Sequence, residues 1–263
     1  MNNINQFKKM LEQQKKISVV TCYDYWSSKI IANSNIDAIL VGDSTSMVMH
    51  GFDTTTSADI SMMELHTAAV KRGANNKFII ADMPFLAHRK GTTVFMTNID
   101  RLIKAGANAV KIEGAGDNLT MIAYTVNSGV PVMGHIGLTP QSVNQFGGFN
   151  VQGKEDESSE QLIRDALALE KAGVFSIVLE LVPEVLAEKI TEVLSIPTIG
   201  IGAGNKTSGQ VLVLQDLLGM DKDFNPKFLR KYIDGFSLIT DALNEYDKDV
   251  KSKIFPSKEE SYW

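Results

Sequence analysis

The chain has 263 residues, 44% of them hydrophobic, and a formal net charge of -5. That length suits one α/β barrel, which typically needs about 250 residues, and the apolar share supports a sizeable core. The negative balance offers no attraction to phosphate backbones or anionic lipid, so nucleic acid is excluded as an expected partner.

The N-terminal stretch MNNINQFKKMLEQQKK is polar and amphipathic, with no apolar segment of signal-peptide length. No run elsewhere approaches the roughly 20 apolar residues that cross a bilayer. A cytoplasmic protein without a membrane partner is expected. The first strand-like run, ISVVTC (17 to 22), carries the single cysteine, Cys22, which reads as a small buried side chain in a reducing compartment. Further runs follow at DAILVG (37 to 42), FIIAD (78 to 82), AVKIE (109 to 113), PVMGH (131 to 135), SIVLE (176 to 180), PTIGIG (197 to 202) and QVLVLQ (210 to 215). Between them lie helix signals. Ser57 precedes DISMMELHTAAVKR, Ser158 precedes EQLIRDALALEKAG with Gly173 as its stop, and Pro183 opens EVLAEKITEVL. Strands alternating with helices predict parallel pairing and right-handed crossovers. Eight such units predict a single (βα)8 TIM barrel over residues 1 to 263, with a doubly wound sheet as the alternative.

Two longer stretches interrupt the rhythm, at 44 to 57 and 136 to 157, and both follow strand C-termini, where barrel enzymes build their sites. They are expected to be binding loops, apart from the acidic KEDESSE, which reads as a surface excursion. Beyond Asp221, PKFLRKYIDGFSLITDALNEY reads as a helix-like tail that packs on the barrel or on a neighbouring subunit.

Four runs end on an acid: Asp43 just after the second, then Asp82, Glu113 and Glu180. A carboxylate at the end of a doubly buried strand is costly unless something uses it. If Asp43, Asp82 and Glu113 gather about 5 Å apart, each ionised pair repels by roughly 3 kcal/mol at an effective dielectric of 20. Such a cluster demands a cation or protons. Oxygen donors without a His or Cys cluster favour Mg²⁺ over Zn²⁺. Alternation along AVKIE puts Lys111 on the same side as Glu113, either paired with the carboxylates or holding an anionic substrate. His135 reads equally well as a hydrogen bonder at the core edge or as a donor in the site. His50, His66 and His88 show no ligand spacing. GIGAGN, Gly200 to Asn205, misses the phosphate-binding GxGxxG pattern and reads as close backbone packing.

At VGDS (41 to 44), ADMPF (81 to 85), VKIEG (110 to 114), GHIGLTPQS (134 to 142) and IGIGAG (199 to 204), the chain resembles the ketopantoate hydroxymethyltransferase family. The resemblance runs from TCYDY (21 to 25) through FGGFNVQGK to NPKF (225 to 228). It implies a barrel of the phosphoenolpyruvate/pyruvate superfamily. It further implies transfer of a one-carbon unit from 5,10-methylenetetrahydrofolate to 3-methyl-2-oxobutanoate through a Mg²⁺-stabilised enolate, giving 2-dehydropantoate for pantothenate biosynthesis. Carried onto matching positions, it implies that Asp43, Asp82 and Glu113 surround Mg²⁺, that Asp43, Ser44, Asp82 and Lys111 contact substrate, and that Glu180 accepts the proton. A homo-oligomer, a decamer, is implied as well. The alternative is a metal-dependent carbon-carbon lyase or phosphonomutase of the same superfamily. Departures from the family pattern at Cys22, Trp26, His88 and Ala115 involve none of these residues.

Overall fold

The computed structural model describes residues 3–142, 147–148 and 150–262. It divides into two compact units, Met1–Leu212 and Val213–Trp263.

In the first unit, eight parallel strands close in chain order into a barrel, with β1 hydrogen-bonded to β8. They are β1 Ile17–Thr21, β2 Ala38–Val41, β3 Phe78–Asp82, β4 Ala109–Glu113, β5 Val132–Gly137, β6 Ser176–Glu180, β7 Thr198–Ile201 and β8 Gly209–Leu212. The expected (βα)8 barrel is therefore present. β5 runs two residues beyond His135 because its partner β6 is still there to pair with it, with Gly137 opposite Glu180. β8 stops earlier than the run QVLVLQ suggests.

The barrel interior holds Phe7, Ile17, Val19, Ala38, Leu40, Phe78, Ile80, Ala109, Met133, Phe175, Val178, Ile199 and Val211. The amphipathic N-terminal stretch forms a helix, Ile4–Glu12, whose buried face delivers Phe7 to this interior. There its ring meets Phe78 and Phe175 edge-on, at centroid distances of 5.4 and 5.0 Å. Phe78 opens β3 and Phe175 precedes β6, so the aromatic trio plugs the N-terminal end of the barrel. The C-terminal end is left for polar chemistry.

The helix signals hold with shifted starts. Residues Thr55–Ser57 form a 3₁₀ turn, so the cap of helix Ile60–Gly73 is Asp59, whose carboxylate accepts from Met62 N at 2.8 Å. Helix Asp156–Lys171 begins before Ser158, whose hydroxyl instead donates to Glu155 O, and the acidic pair Asp156 and Glu157 suits the positive helix start. Pro183 stands immediately before helix Glu184–Val193. Gly204, in the GIGAGN stretch, has φ +74°, and a Cβ there would lie 2.4 Å from Glu184 Cγ, which bears out close packing as its purpose. Cys22 is buried and free.

The second unit contains a short helix, Leu214–Leu217, and the tail helix, Gly235–Lys251. The tail helix begins later than its sequence pattern suggests because Asp234 caps it, accepting from Ser237 N at 3.1 Å. Leu238, Leu243 and Tyr246 on this helix are exposed.

Candidate active site

Strand parity builds the site. Phe78 and Ile80 face the barrel interior, and Asp82 follows two residues later. By the same alternation Ala109 leads to Lys111 and Glu113, Met133 to His135, and Val178 to Glu180. The interior column thus turns from apolar to ionisable at the C-terminal mouth. Asp43 and Ser44 follow β2 after Gly42 and lead into the short helix Thr45–Val48.

Asp43, Asp82, Lys111, Glu113 and His135 are all buried. The Lys111 ammonium lies 3.3 Å from Asp82 Oδ1, 3.4 Å from Glu113 Oε1 and 3.0 Å from His135 Nδ1. Asp43 joins through its backbone, whose N–H donates to Asp82 Oδ2 at 3.0 Å. His135 lies between two acids, with Nδ1 3.4 Å from Glu113 Oε1 and Nε2 3.2 Å from Glu180 Oε2. The latter contact is close in distance but poorly aligned, since Nε2 has no hydrogen-bond partner of good geometry. Glu180 has 17% of its side chain exposed, against 2% for His135. It is therefore the acid of this group that a molecule entering the mouth meets first. Ser44 is half-buried, and its hydroxyl shares a 2.8 Å hydrogen bond with that of Tyr23.

The electrostatics are those of a crowded anionic cluster gathered around Lys111. Burial pushes the Asp43 carboxyl well up, and the Glu113 and Asp82 charges push it further. Burial also raises Asp82, against the opposing pull of Lys111. Glu113 goes the other way: burial is outweighed by Lys111 and His135, which hold it at about 2. Burial disfavours the Lys111 cation, yet the surrounding carboxylates, Asp82 first, keep it protonated. Burial and Lys111 press His135 down while Glu113 and Glu180 lift it, leaving it at about 9. At 3.0 Å only one of Lys111 Nζ and His135 Nδ1 can donate to the other.

Two contributors escaped the sequence reading. Gln141, in the 3₁₀ turn Pro140–Ser142, donates from its side chain to Asp43 Oδ2 and from its backbone to Glu113 Oε2. The signal available was its place in GHIGLTPQS, directly after β5. The structure also brings His50 and His66 together, Nε2 to Nε2 at 2.8 Å, although their spacing suggested no relation. Part of the second long loop, residues 143–146 and 149, lies outside the described residues.

Gly137 fixes the backbone beside Glu180. Its φ is +93°, and a Cβ would fall 2.3 Å from the Glu180 carbonyl oxygen. Gly137→Ala is expected to lower stability by about 1–3 kcal/mol and to displace Glu180. A thermal melt coinciding with the parent's would contradict this reading.

The family model for ketopantoate hydroxymethyltransferase matches residues 1–258. The chain belongs to this family. Relatives named 3-methyl-2-oxobutanoate hydroxymethyltransferase match this chain over 98% or more of its length. The protein from Bdellovibrio bacteriovorus is 55% identical over 262 residues, covering 100% of both chains. That from Coxiella burnetii is 55% identical over 258 residues, covering 98% of this chain and 97% of its own. Among solved structures, phosphonopyruvate hydrolase in complex with oxalate and Mg²⁺ aligns with a TM-score of 0.62 at 11% identity, over 99% of this chain and 93% of its own. 2,3-Dimethylmalate lyase, described as a member of the PEP mutase/isocitrate lyase superfamily, aligns with a TM-score of 0.59 at 14% identity, over 97% and 99%. At such identities the structural likeness shows the fold alone.

Proposed function

We propose that the chain transfers a hydroxymethyl group from 5,10-methylenetetrahydrofolate to 3-methyl-2-oxobutanoate, forming 2-dehydropantoate. The observation that carries this reading is the buried cluster at the barrel mouth, with carboxylates around Lys111 and Glu180 at the rim. It stands beside a family match over residues 1–258. The lyase or phosphonomutase alternative has only fold-level likeness, at 11 and 14% identity, behind it.

Among the described residues, no three His, Cys, Asp or Glu side chains already converge at ligand distance. The donor set nonetheless fits a hard cation. Asp82 Oδ1 is buried and meets the Lys111 ammonium at 3.3 Å without a well-aligned hydrogen bond, and Asp43 and Asp82 are both lifted by burial beside other negative charge. We assign Asp43, Asp82 and Glu113 to hold Mg²⁺. The ion, when bound, supplies Lewis-acid withdrawal of electron density from the keto acid.

This chain's own residues do the rest. Lys111, and Ser44 held by Tyr23, bind the substrate with Asp43 and Asp82, the ammonium facing the substrate carboxylate. Glu180 takes the C3 proton. Water adds to the iminium carbon presented by the folate and the folate nitrogen leaves, and the freed electron pair then bonds to the carbonyl carbon of the one-carbon unit so released, whose oxygen takes up a proton as the hydroxymethyl group. His135 steers Glu180 from 3.2 Å, and the buried walls keep bulk water from the carbanion. The reading includes a homo-oligomer, a decamer as the family resemblance implies, acting in the cytoplasm. Support for association comes from the exposed Leu238, Leu243 and Tyr246 of the tail helix.

Asp82→Ala tests the cation assignment. The Mg²⁺ concentration for half-maximal turnover is expected to rise by about 10-fold or more, since a ligating carboxylate is lost. An unchanged metal titration removes Asp82 from the set.

A further inference from the structure

Each acid of the cluster has one oxygen tied to a protein N–H. Asp82 Oδ2 accepts from the Asp43 backbone at 3.0 Å, Asp43 Oδ2 from Gln141 Nε2 at 2.8 Å, and Glu113 Oε2 from the Gln141 backbone at 3.0 Å. Two of these three ties therefore come from one residue. Gln141 is 7% exposed, and its Nε2 also donates to Met83 O at 2.9 Å, immediately after Asp82. Both amide hydrogens are thus committed. The reverse amide orientation would set Oε1 against two acceptors, Asp43 Oδ2 and Met83 O, so the network fixes the side chain one way. The Pro140–Ser142 turn that carries Gln141 is itself closed by Ser142 N donating to Thr139 O at 2.8 Å.

We propose that Gln141 is the positioning residue of the cation site. Its amide sets the orientation of Asp43 against the end of β3, while its backbone N–H sets Glu113 at the end of β4. Asp43, two residues past β2, and Glu113, at the end of β4, are 70 residues apart in sequence, and nothing covalent near the mouth keeps their oxygens in register. A single side chain bonded to the ends of β2 and β3, with its backbone bonded to β4, does so. This inference rests on the assignment of Asp43, Asp82 and Glu113 to Mg²⁺.

The test is calorimetric titration of Mg²⁺ into the wild-type enzyme, Gln141→Met, Gln141→Asn and Asp82→Ala without substrate, together with turnover across Mg²⁺ concentrations. Methionine keeps the length and the apolar stem but has no donors. Binding is expected to weaken by about 10- to 100-fold in Gln141→Met, as when an outer hydrogen bond to a metal ligand is lost. The Mg²⁺ for half-maximal turnover should rise in parallel, with kcat at saturating Mg²⁺ falling less. A purely structural role would lower the melting temperature and leave the Mg²⁺ dependence alone, and that result overturns the proposal. Should Gln141→Met not fold, Gln141→Asn, whose amide falls one methylene short, carries the same expectation, and wild-type affinity in it overturns the proposal. Failure of both to fold even in excess Mg²⁺ also overturns it, because a positioning role predicts that the ion restores the site. If Asp82→Ala binds Mg²⁺ as the wild type does, the metal assignment itself has failed. If Asp82→Ala is impaired and Gln141→Met is not, only the role of Gln141 has.

Discussion

Glu180→Gln is expected to lose exchange of the C3 proton of 3-methyl-2-oxobutanoate by about 10²- to 10⁴-fold, the range for removal of a positioned general base. The substitution keeps shape and removes the proton acceptor. Glu180 stands at the end of β6, opposite Gly137, with its carboxylate 3.2 Å from His135 Nε2. Its larger exposure places it at the rim rather than among the buried acids. Because Asp43, Asp82 and Glu113 are untouched, calorimetric Mg²⁺ affinity should stay close to that of the parent. Exchange at the parental rate would refute the base assignment. Loss of metal binding together with exchange would mean that Glu180 belongs to the cation site instead.

Removing the buried cation should have the other large effect. Lys111→Met leaves Asp82 and Glu113 buried beside Asp43 without their ammonium, and breaking a buried ion pair from one side typically costs about 3–5 kcal/mol. The pH dependence gives the sign. In the parent, Glu113 is held at about 2, below its ordinary 4.5, so its contribution is fully present above 4.5 and is lost as pH falls through about 2. Without Lys111, Asp82 loses the largest pull against its burial and moves further up, and the Glu113 carboxyl moves up with it. The variant then loses stability as pH rises past the ordinary carboxylate range, and its deficit against the parent should widen between about pH 4 and pH 8. Mg²⁺ should recover part of that deficit by replacing the missing positive charge. Urea or thermal unfolding across this pH range reads the effect. A deficit that is constant with pH would show that Lys111 acts by packing alone.

Much of this site was legible because strand parity and burial act together. Asp82, Lys111 and Glu113 each stand an even number of residues from an interior apolar neighbour, and a doubly buried strand leaves few reasons to end on an acid. The barrel followed from the same runs. What alternation cannot reveal is contact made by a turn. Gln141 reaches Asp43 across 98 residues only because the chain after β5 folds back as a 3₁₀ turn, a geometry without a periodic signature. His135 was balanced between two readings because both place it on the inward face, and only the separations from Lys111, Glu113 and Glu180 assign it to the site. Helix starts were misjudged where two capping residues compete. Asp59 prevails over Ser57 because Ser57 is already taken up in the preceding turn. The pairing of His50 with His66 joins a loop to a helix, and spacing along the chain says nothing about it.

The role proposed for the acids at the barrel mouth is to hold a divalent cation that acidifies a bound keto acid for deprotonation. Its most direct test follows deuterium from solvent into C3 of 3-methyl-2-oxobutanoate by NMR, with wild-type enzyme and no folate, in Mg²⁺ and after chelation. Incorporation that requires both enzyme and divalent cation is the predicted result. Incorporation at full rate in the chelated enzyme, or none with Mg²⁺ present, would contradict it.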